Sequence, residues 1–262
     1  MTSLQVIGGG KMGQALVGGL LAAGQYRPEQ VAVVELVDAQ RARLAAALPG
    51  VDVTDAAQAG VDTVVAVKPH QVTGVCEGLE RPARVVSVAA GITLAAIEAV
   101  VPPGTPVIRA MPNTPALVGA GAAAVAGGTA AGADDVAWAR NLLAAVGTAV
   151  VVDEAQIDAV TGLSGSGPAY VFLIVEALID AGVSAGLPLE VATVLARQTV
   201  YGAGRMLVED PEVGPAAQRA AVTTPAGTTA AGLRMLERHG VRAALIDAVD
   251  AAADRSRQLG AR

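Results

Sequence analysis

Up to about Asp153, short runs of valine and isoleucine alternate with alanine-rich helical stretches, and beyond it the strand signal stops. Alternation of this kind marks a parallel sheet whose strands are joined by crossover helices. Strands are expected at Leu4–Ile7, Val31–Val34, Thr63–Val67, Val85–Val88, Val107–Arg109, Ala122–Ala126 and Ala149–Val152. Helices are expected near Met12–Ala23, Ala39–Leu48, Leu94–Val100 and Asp134–Ala145, then, without further strands, near Gln156–Leu163, Ala169–Ala185, Leu189–Glu209, Thr228–Arg238 and Arg242–Leu259. Pro188 suits a first helical turn, and Gly240 suits the close of the helix ending at His239. The fold class is therefore α/β, with a doubly wound sheet in residues 1–153 and an all-helical region in 154–262.

One helix in the second region asks for company. Tyr170, Phe172, Leu173, Ile174, Val175, Leu178 and Ile179 leave the segment from Ala169 apolar nearly all round, and such a helix needs neighbours on several sides. A homodimer with interlocked helices answers that need. A membrane does not, because the run Tyr170–Val175 is broken by Glu176 and Asp180, well short of the ~20 residues that span a bilayer.

Composition excludes other classes. With 53% hydrophobic and 16% charged residues the chain is not disordered, and a net charge of −6 without a run of bases argues against nucleic acid as a partner. The single cysteine, Cys76, cannot form an internal disulfide, and no secretory leader opens the chain, so a cytoplasmic location is expected. Two histidines and one cysteine make no ligand cluster of the kind a zinc site needs.

The motifs lie at the carboxyl ends of the expected strands. Leu4–Ile7 runs into Gly8-Gly9-Gly10-Lys11-Met12-Gly13, a G-x-G-x-x-G between strand and helix. Gly8 permits the tight turn, Gly10 lets backbone amides approach a pyrophosphate at the helix start, and Gly13 lets helix and strand pack closely. Glu35 ends the second strand near the spacing expected of an acid that binds the ribose. The reading is a Rossmann-type dinucleotide site. Glu35 favours NAD(H), whereas Arg41 and Arg43 could accept the 2′-phosphate of NADP(H), and the sequence leaves NADPH or NADH open.

The only lysines, Lys11 and Lys68, both fall on this rim, Lys11 in the phosphate loop and Lys68 in Val67-Lys68-Pro69-His70 after a strand. His70 beside a proline turn reads as a local hydrogen-bonding group, and His239 as a cap or surface residue. Met111-Pro112-Asn113-Thr114-Pro115 forms another loop at the carboxyl edge, with Asn113 and Thr114 able to make polar contacts. Ser164-Gly165-Ser166-Gly167-Pro168 reads either as a capped helix start or as amides and hydroxyls facing an anion. In Val222-Thr223-Thr224-Pro225-Ala226-Gly227-Thr228-Thr229, four threonines precede a helix whose N-cap needs one hydroxyl, a surplus suited to a substrate carboxylate and a polar neighbour.

Taken together, the Gly8–Gly13 loop, Ala66–His70, Ala90-Gly91-Ile92, Arg109–Pro115, Ser164–Tyr170 and Thr223–Thr229, continued by Ala230–Glu237, resemble the pyrroline-5-carboxylate reductase family over essentially the whole chain. The resemblance implies hydride transfer from NADPH or NADH to the cyclic imine of 1-pyrroline-5-carboxylate, giving L-proline in the last step of proline synthesis. It implies a dimer through the C-terminal helices, often assembled further into decamers. By position, Thr224 and the amides of Gly227, Thr228 and Thr229 would hold the substrate carboxylate, and the Thr229 hydroxyl would bond the ring nitrogen. Ala66, Val67, Lys68 and Pro69, with Met111, Pro112, Asn113 and Thr114, would line the cofactor beside Gly8, Gly10, Lys11, Met12, Gly13 and Glu35. The chain departs from the family in Ala226, where glycine is common, and in Thr223-Thr224 for the commoner serines.

The residue inventory agrees with imine reduction. A protonated imine is already electrophilic and takes hydride without a metal or a strong acid, so positioning does most of the work. A β-hydroxyacid dehydrogenase would use a lysine in its helical domain, and this chain has none after Lys68. A non-catalytic dinucleotide-sensing protein is the rival of another class, in which the threonine loop would be mere capping.

Overall fold

The computed structural model describes residues 2–260. Its strands are β1 (Leu4–Ile7), β2 (Val31–Val34), β3 (Asp52–Thr54), β4 (Asp62–Val65), β5 (Arg84–Ser87), β6 (Val107–Met111), β7 (Gly121–Gly127) and β8 (Gly147–Val151). The helices are α1 (Lys11–Ala22), α2 (Asp38–Ala47), α3 (Val72–Glu77), α4 (Leu94–Glu98), α5 (Ala133–Ala144), α6 (Ile157–Val160), α7 (Gly167–Ser184), α8 (Leu189–Glu209), α9 (Pro215–Ala221), α10 (Thr228–Arg238) and α11 (Val241–Gly260).

All eight strands form one sheet in the order β3-β2-β1-β4-β5-β6-β7-β8. It is parallel except between β6 and β7, which correct the parallel expectation by running antiparallel. The reason is the connection: residues 112–120 hold one short 3₁₀ turn ending at Gly119, and a parallel return needs about a dozen residues or more. Along each strand the pleat sends alternate side chains to opposite faces. Val6, Val33, Val64, Val86 and Ile108 pack under Leu16 and Leu20 of α1 and Leu142 of α5. Ile7, Val34, Val65, Val85 and Val107 pack under Val72 and Cys76 of α3 and Ile97 of α4.

The elements depart from expectation in several places. β3 escapes a hydrophobicity reading because Asp52-Val53-Thr54 is short and mostly polar. The strand expected over Thr63–Val67 stops at Val65, which places Ala66 and Val67 in the following loop. The helix expected over Gln156–Leu163 is a 3₁₀ turn, α6 and a π-turn, Thr161–Gly165, in which the Ser166 N–H reaches back to the Thr161 carbonyl at 2.8 Å.

The chain divides into two compact units, one of residues up to Pro168 together with those from Val249 onward, the other Ala169–Ala248. The first holds the sheet and both core clusters. In the second, built from most of α7, from α8 to α10 and from the start of α11, Ala192 and Ala196 are the only buried apolar residues, while Phe172, Leu173, Val194 and Val208 are each more than 60% exposed.

Candidate active site

Gly8 follows β1 at φ +108°, and a Cβ there would lie 2.6 Å from the Ala66 carbonyl oxygen. A Cβ on Gly13 would lie 2.1 Å from the Gly8 oxygen, so α1 and the turn touch backbone to backbone. A Cβ on Gly10 would meet nothing within 4 Å. The first and third glycines are thus required by packing, and the middle one leaves open space at the start of α1. The first turn of α1 carries no acidic side chain and its Gly10 cap offers no side-chain acceptor, so its amides favour an anion.

Three side chains that the motif does not name pin this loop through Gly9. The Glu35 Oε2 accepts the Gly9 N–H at 3.2 Å, and Gln14 and Gln40 donate to the Gly9 carbonyl at 2.7 and 3.1 Å. Glutamines on α1 and α2 resemble ordinary surface residues in sequence, which hides their role. Beyond the loop a cavity of about 540 Å³ opens at the carboxyl ends of β1, β2 and β4, lined among others by Gly8, Gly10, Glu35, Ala66, Lys68 and Gln71. The strand order reverses between β1 and β4, where doubly wound sheets bind nucleotides. An open cradle, an acid-free helix start and a large adjoining cavity fit a dinucleotide.

The other rim residues are placed as follows. Lys11 is exposed at the start of α1, and Lys68 is exposed and lines the cavity. Met12 is half-buried on the first turn of α1 and packs against the core. Pro69 and His70 form an exposed 3₁₀ turn. Asn113 is only 9% exposed, and its amide group is engaged on both sides, donating to the Ser164 carbonyl at 3.0 Å and accepting the Ala122 N–H at 2.8 Å. Its side chain thus holds the 111–115 loop in shape. Pro112 is buried, Thr114 is exposed, and the half-buried Met111 abuts Gly165, where a Cβ would lie 2.5 Å from the Met111 Cε. The Ser164 hydroxyl donates to Val160 O at 3.1 Å, so it serves the π-turn and does not face an anion.

Below this loop lies a group the sequence hid inside an apolar strand. Arg109 is 3% exposed, with Nη1 at 3.2 Å from Glu154 Oε1 and Nη2 at 3.6 Å from Asp158 Oδ1. Glu154 also accepts the Leu94 N–H at 2.6 Å, and Asp158 accepts the Ser256 hydroxyl at 2.6 Å. Removing either acid would leave a buried guanidinium short of a partner, which is costly.

In the helical unit, Thr223–Thr229 leads into α10. The Gly227 N–H donates to the Thr224 carbonyl at 3.0 Å, closing a turn, and a Cβ on Gly227 would lie 2.3 Å from the Thr224 hydroxyl oxygen. Gly227 is therefore there for close approach, and its amide, expected among the carboxylate donors, is taken. The Thr223 hydroxyl is also spent, on Arg219 O at 2.6 Å. Thr224, Thr228 and Thr229 are exposed, and none of their hydroxyls has a partner among the described residues. The first turn of α10 contains no acid, so the amides of Thr228 and Thr229 and three hydroxyls present an anion-binding face. Ala226 stands at φ +59°, a conformation that favours glycine.

Residues 154–259 match the family model described as pyrroline-5-carboxylate reductase dimerisation, and residues 3–91 match that of NADP oxidoreductase coenzyme F420-dependent. The pyrroline-5-carboxylate reductase of Mycobacterium leprae is 45% identical over 99% of this chain and 97% of its own. The chain belongs to the pyrroline-5-carboxylate reductase family. The solved structure of a member from Coxiella burnetii superposes with a TM-score of 0.92 at 37% identity, covering 98% of both chains. That of the Plasmodium falciparum enzyme, which has NADP bound, gives 0.81 at 27% identity, covering 99% of this chain and 98% of its own. This reductase is accordingly an NAD(P)H-dependent oxidoreductase that carries its family's dimerisation region. The stretch 154–184, long and apolar enough by length and composition to cross a membrane, falls within that region.

Proposed function

We propose that the reductase converts 1-pyrroline-5-carboxylate into L-proline, the last step of proline biosynthesis, with residues 1–153 binding the dinucleotide and residues 154–262 binding substrate and forming the dimer. The observation that carries the substrate assignment is the threonine loop, where first-turn amides and unpartnered hydroxyls converge at the start of α10. When bound, the nicotinamide supplies hydride to the imine carbon. The chain's own residues hold and orient. Gly8, Gly10, Lys11, Met12 and Gly13 would cradle the pyrophosphate, and Ala66 to Pro69 with Met111 to Thr114 would line the rest of the cofactor. The Thr228 and Thr229 amides, with the Thr224 hydroxyl, would hold the substrate carboxylate. The Thr229 hydroxyl would bond the ring nitrogen, which keeps its proton as it becomes the amine. Iminium plus hydride gives the neutral ring directly, so no acid or base of unusual strength is required.

Family membership and the exposed apolar helices support a homodimer, and a decamer built of five such dimers is the further assembly we propose. The family relatives also support a soluble, cytoplasmic enzyme. The test is the loss of reduced-nicotinamide absorbance on adding pyrroline-5-carboxylate, with proline counted. One proline per dinucleotide oxidised is the expected result, and binding without oxidation would move the function to a sensor. Thr229→Ala is expected to lower kcat about tenfold or more while leaving dinucleotide affinity unchanged. Equal turnover would remove Thr229 from the mechanism.

A further inference from the structure

The cavity beside the glycine loop is charged unevenly, and the unevenness bears on which dinucleotide it accepts. Among the described residues, Glu35 and Lys68 are the only charged ones lining it, and they lie on different strands' ends, Glu35 after β2 and Lys68 after β4. The Glu35 carboxylate is fixed by two main-chain donors, Gly9 N–H at 3.2 Å and Val37 N–H at 3.1 Å. Arg41, one of the two cations expected to answer a 2′-phosphate, is engaged elsewhere. Its Nη1 donates to the carbonyls of Glu35 and Leu36 at 2.8 and 2.9 Å, while its Nη2 bonds Asp38 and lies 3.9 Å from Asp55 Oδ2. Arg43, the other, is exposed on α2 and does not line the cavity. Two carboxylates, Asp38 and Asp55, thus stand by the Arg41 guanidinium, whose Nη1 and Nη2 are engaged on its own loop and neighbours.

Resting on the assignment of this crevice to a dinucleotide, we infer that Glu35 and the sequestered Arg41 make the reductase select NADH over NADPH. A free 2′-hydroxyl can donate to a fixed carboxylate. A 2′-phosphate, with a charge of about −2, meets that carboxylate with no free guanidinium in answer. Lys68 does not reverse this, because it follows β4 and the ribose-recognising acid follows β2.

The test is equilibrium binding without substrate, read by nicotinamide fluorescence. The expected dissociation constant for NADH is at least about tenfold below that for NADPH, a difference of about 1.4 kcal/mol. Glu35→Ser is expected to narrow the gap to within about threefold, and Asp38→Asn with Asp55→Asn to strengthen NADPH alone by releasing Arg41. Competition by 5′-AMP against 2′-phosphorylated AMP reads the same preference in the unaltered protein, should a variant fail to fold. Equal or tighter binding of NADPH, or a Glu35→Ser variant that weakens both dinucleotides alike, overturns the inference and leaves the crevice assignment standing. Binding of neither dinucleotide removes the crevice assignment itself, and the preference with it.

Discussion

The sheet unit and the helical unit are made from the same apolar residue types, yet one buries them and the other displays them. In the first, Leu4, Leu16, Ile97, Ile108 and Leu142 are at most 1% exposed. In the second, Phe172 and Leu173 are 63% and 65% exposed on α7, and the contacts inside the unit are small, as where Gly182 sits against Ala192. A unit with its own core carries its own stability. A unit without one borrows stability from whatever covers it, and this unit falls within the stretch 154–259 that matches a dimerisation model.

That contrast is broken most directly on α7. Phe172→Asp with Leu173→Asp should convert the oligomer to monomer in light scattering, remove much of the helical signal and reduce turnover more than tenfold. An oligomer that survives both carboxylates would place the interface elsewhere. The matching substitution in the sheet unit, Ile108→Ala on β6, empties a site in a closed core and should cost about 2–5 kcal/mol. Its loss should stay the same across protein concentrations in urea melts, whereas that of the α7 variant should depend on them.

A third measurement uses the only thiol. Cys76 is fully buried on α3 in the sheet unit, and burial pushes its pKa up to about 11. The folded state therefore keeps a proton that the unfolded state releases from about pH 8.5 upward, so stability must fall as pH rises through that window. The loss reaches about 3 kcal/mol by pH 11. Cys76→Ala should remove that alkaline slope, at the cost of a small cavity, and an unchanged slope would locate its source elsewhere.

How much of this was legible in the sequence follows from how local each signal is. The G-x-G-x-x-G and the valine runs of β1 and β2 report their own conformation, and both strands fall on the residues expected. Polar β3 and one-and-a-half-turn α3 do not, because their pairing partners impose them. At the site, the threonine surplus was visible, but which donors remain free was not. Gly227 loses its N–H to Thr224, and Asn113 spends an amide N–H on Ser164, 51 residues away. Arg41 is the same lesson in charge, since its sequence position promised a phosphate and its loop had already used it.

The smallest effect concerns Ala226, one of two non-glycine residues at positive φ among those described. An L-residue there costs roughly 1–2 kcal/mol, whereas glycine gives back about 0.5–1 kcal/mol through a freer unfolded chain. The strain outweighs the entropy, so Ala226→Gly should stabilise the protein by up to about 1 kcal/mol in urea melts of the oligomer. Because the residue lies inside the Thr224–Gly227 turn that shapes the anion-binding face, the gain belongs to the helical unit and should leave dinucleotide affinity unmoved. A destabilised variant would mean that the methyl group is held in place by packing on it in the assembled molecule, and the exposed loop of the single chain would then be part of the covered surface.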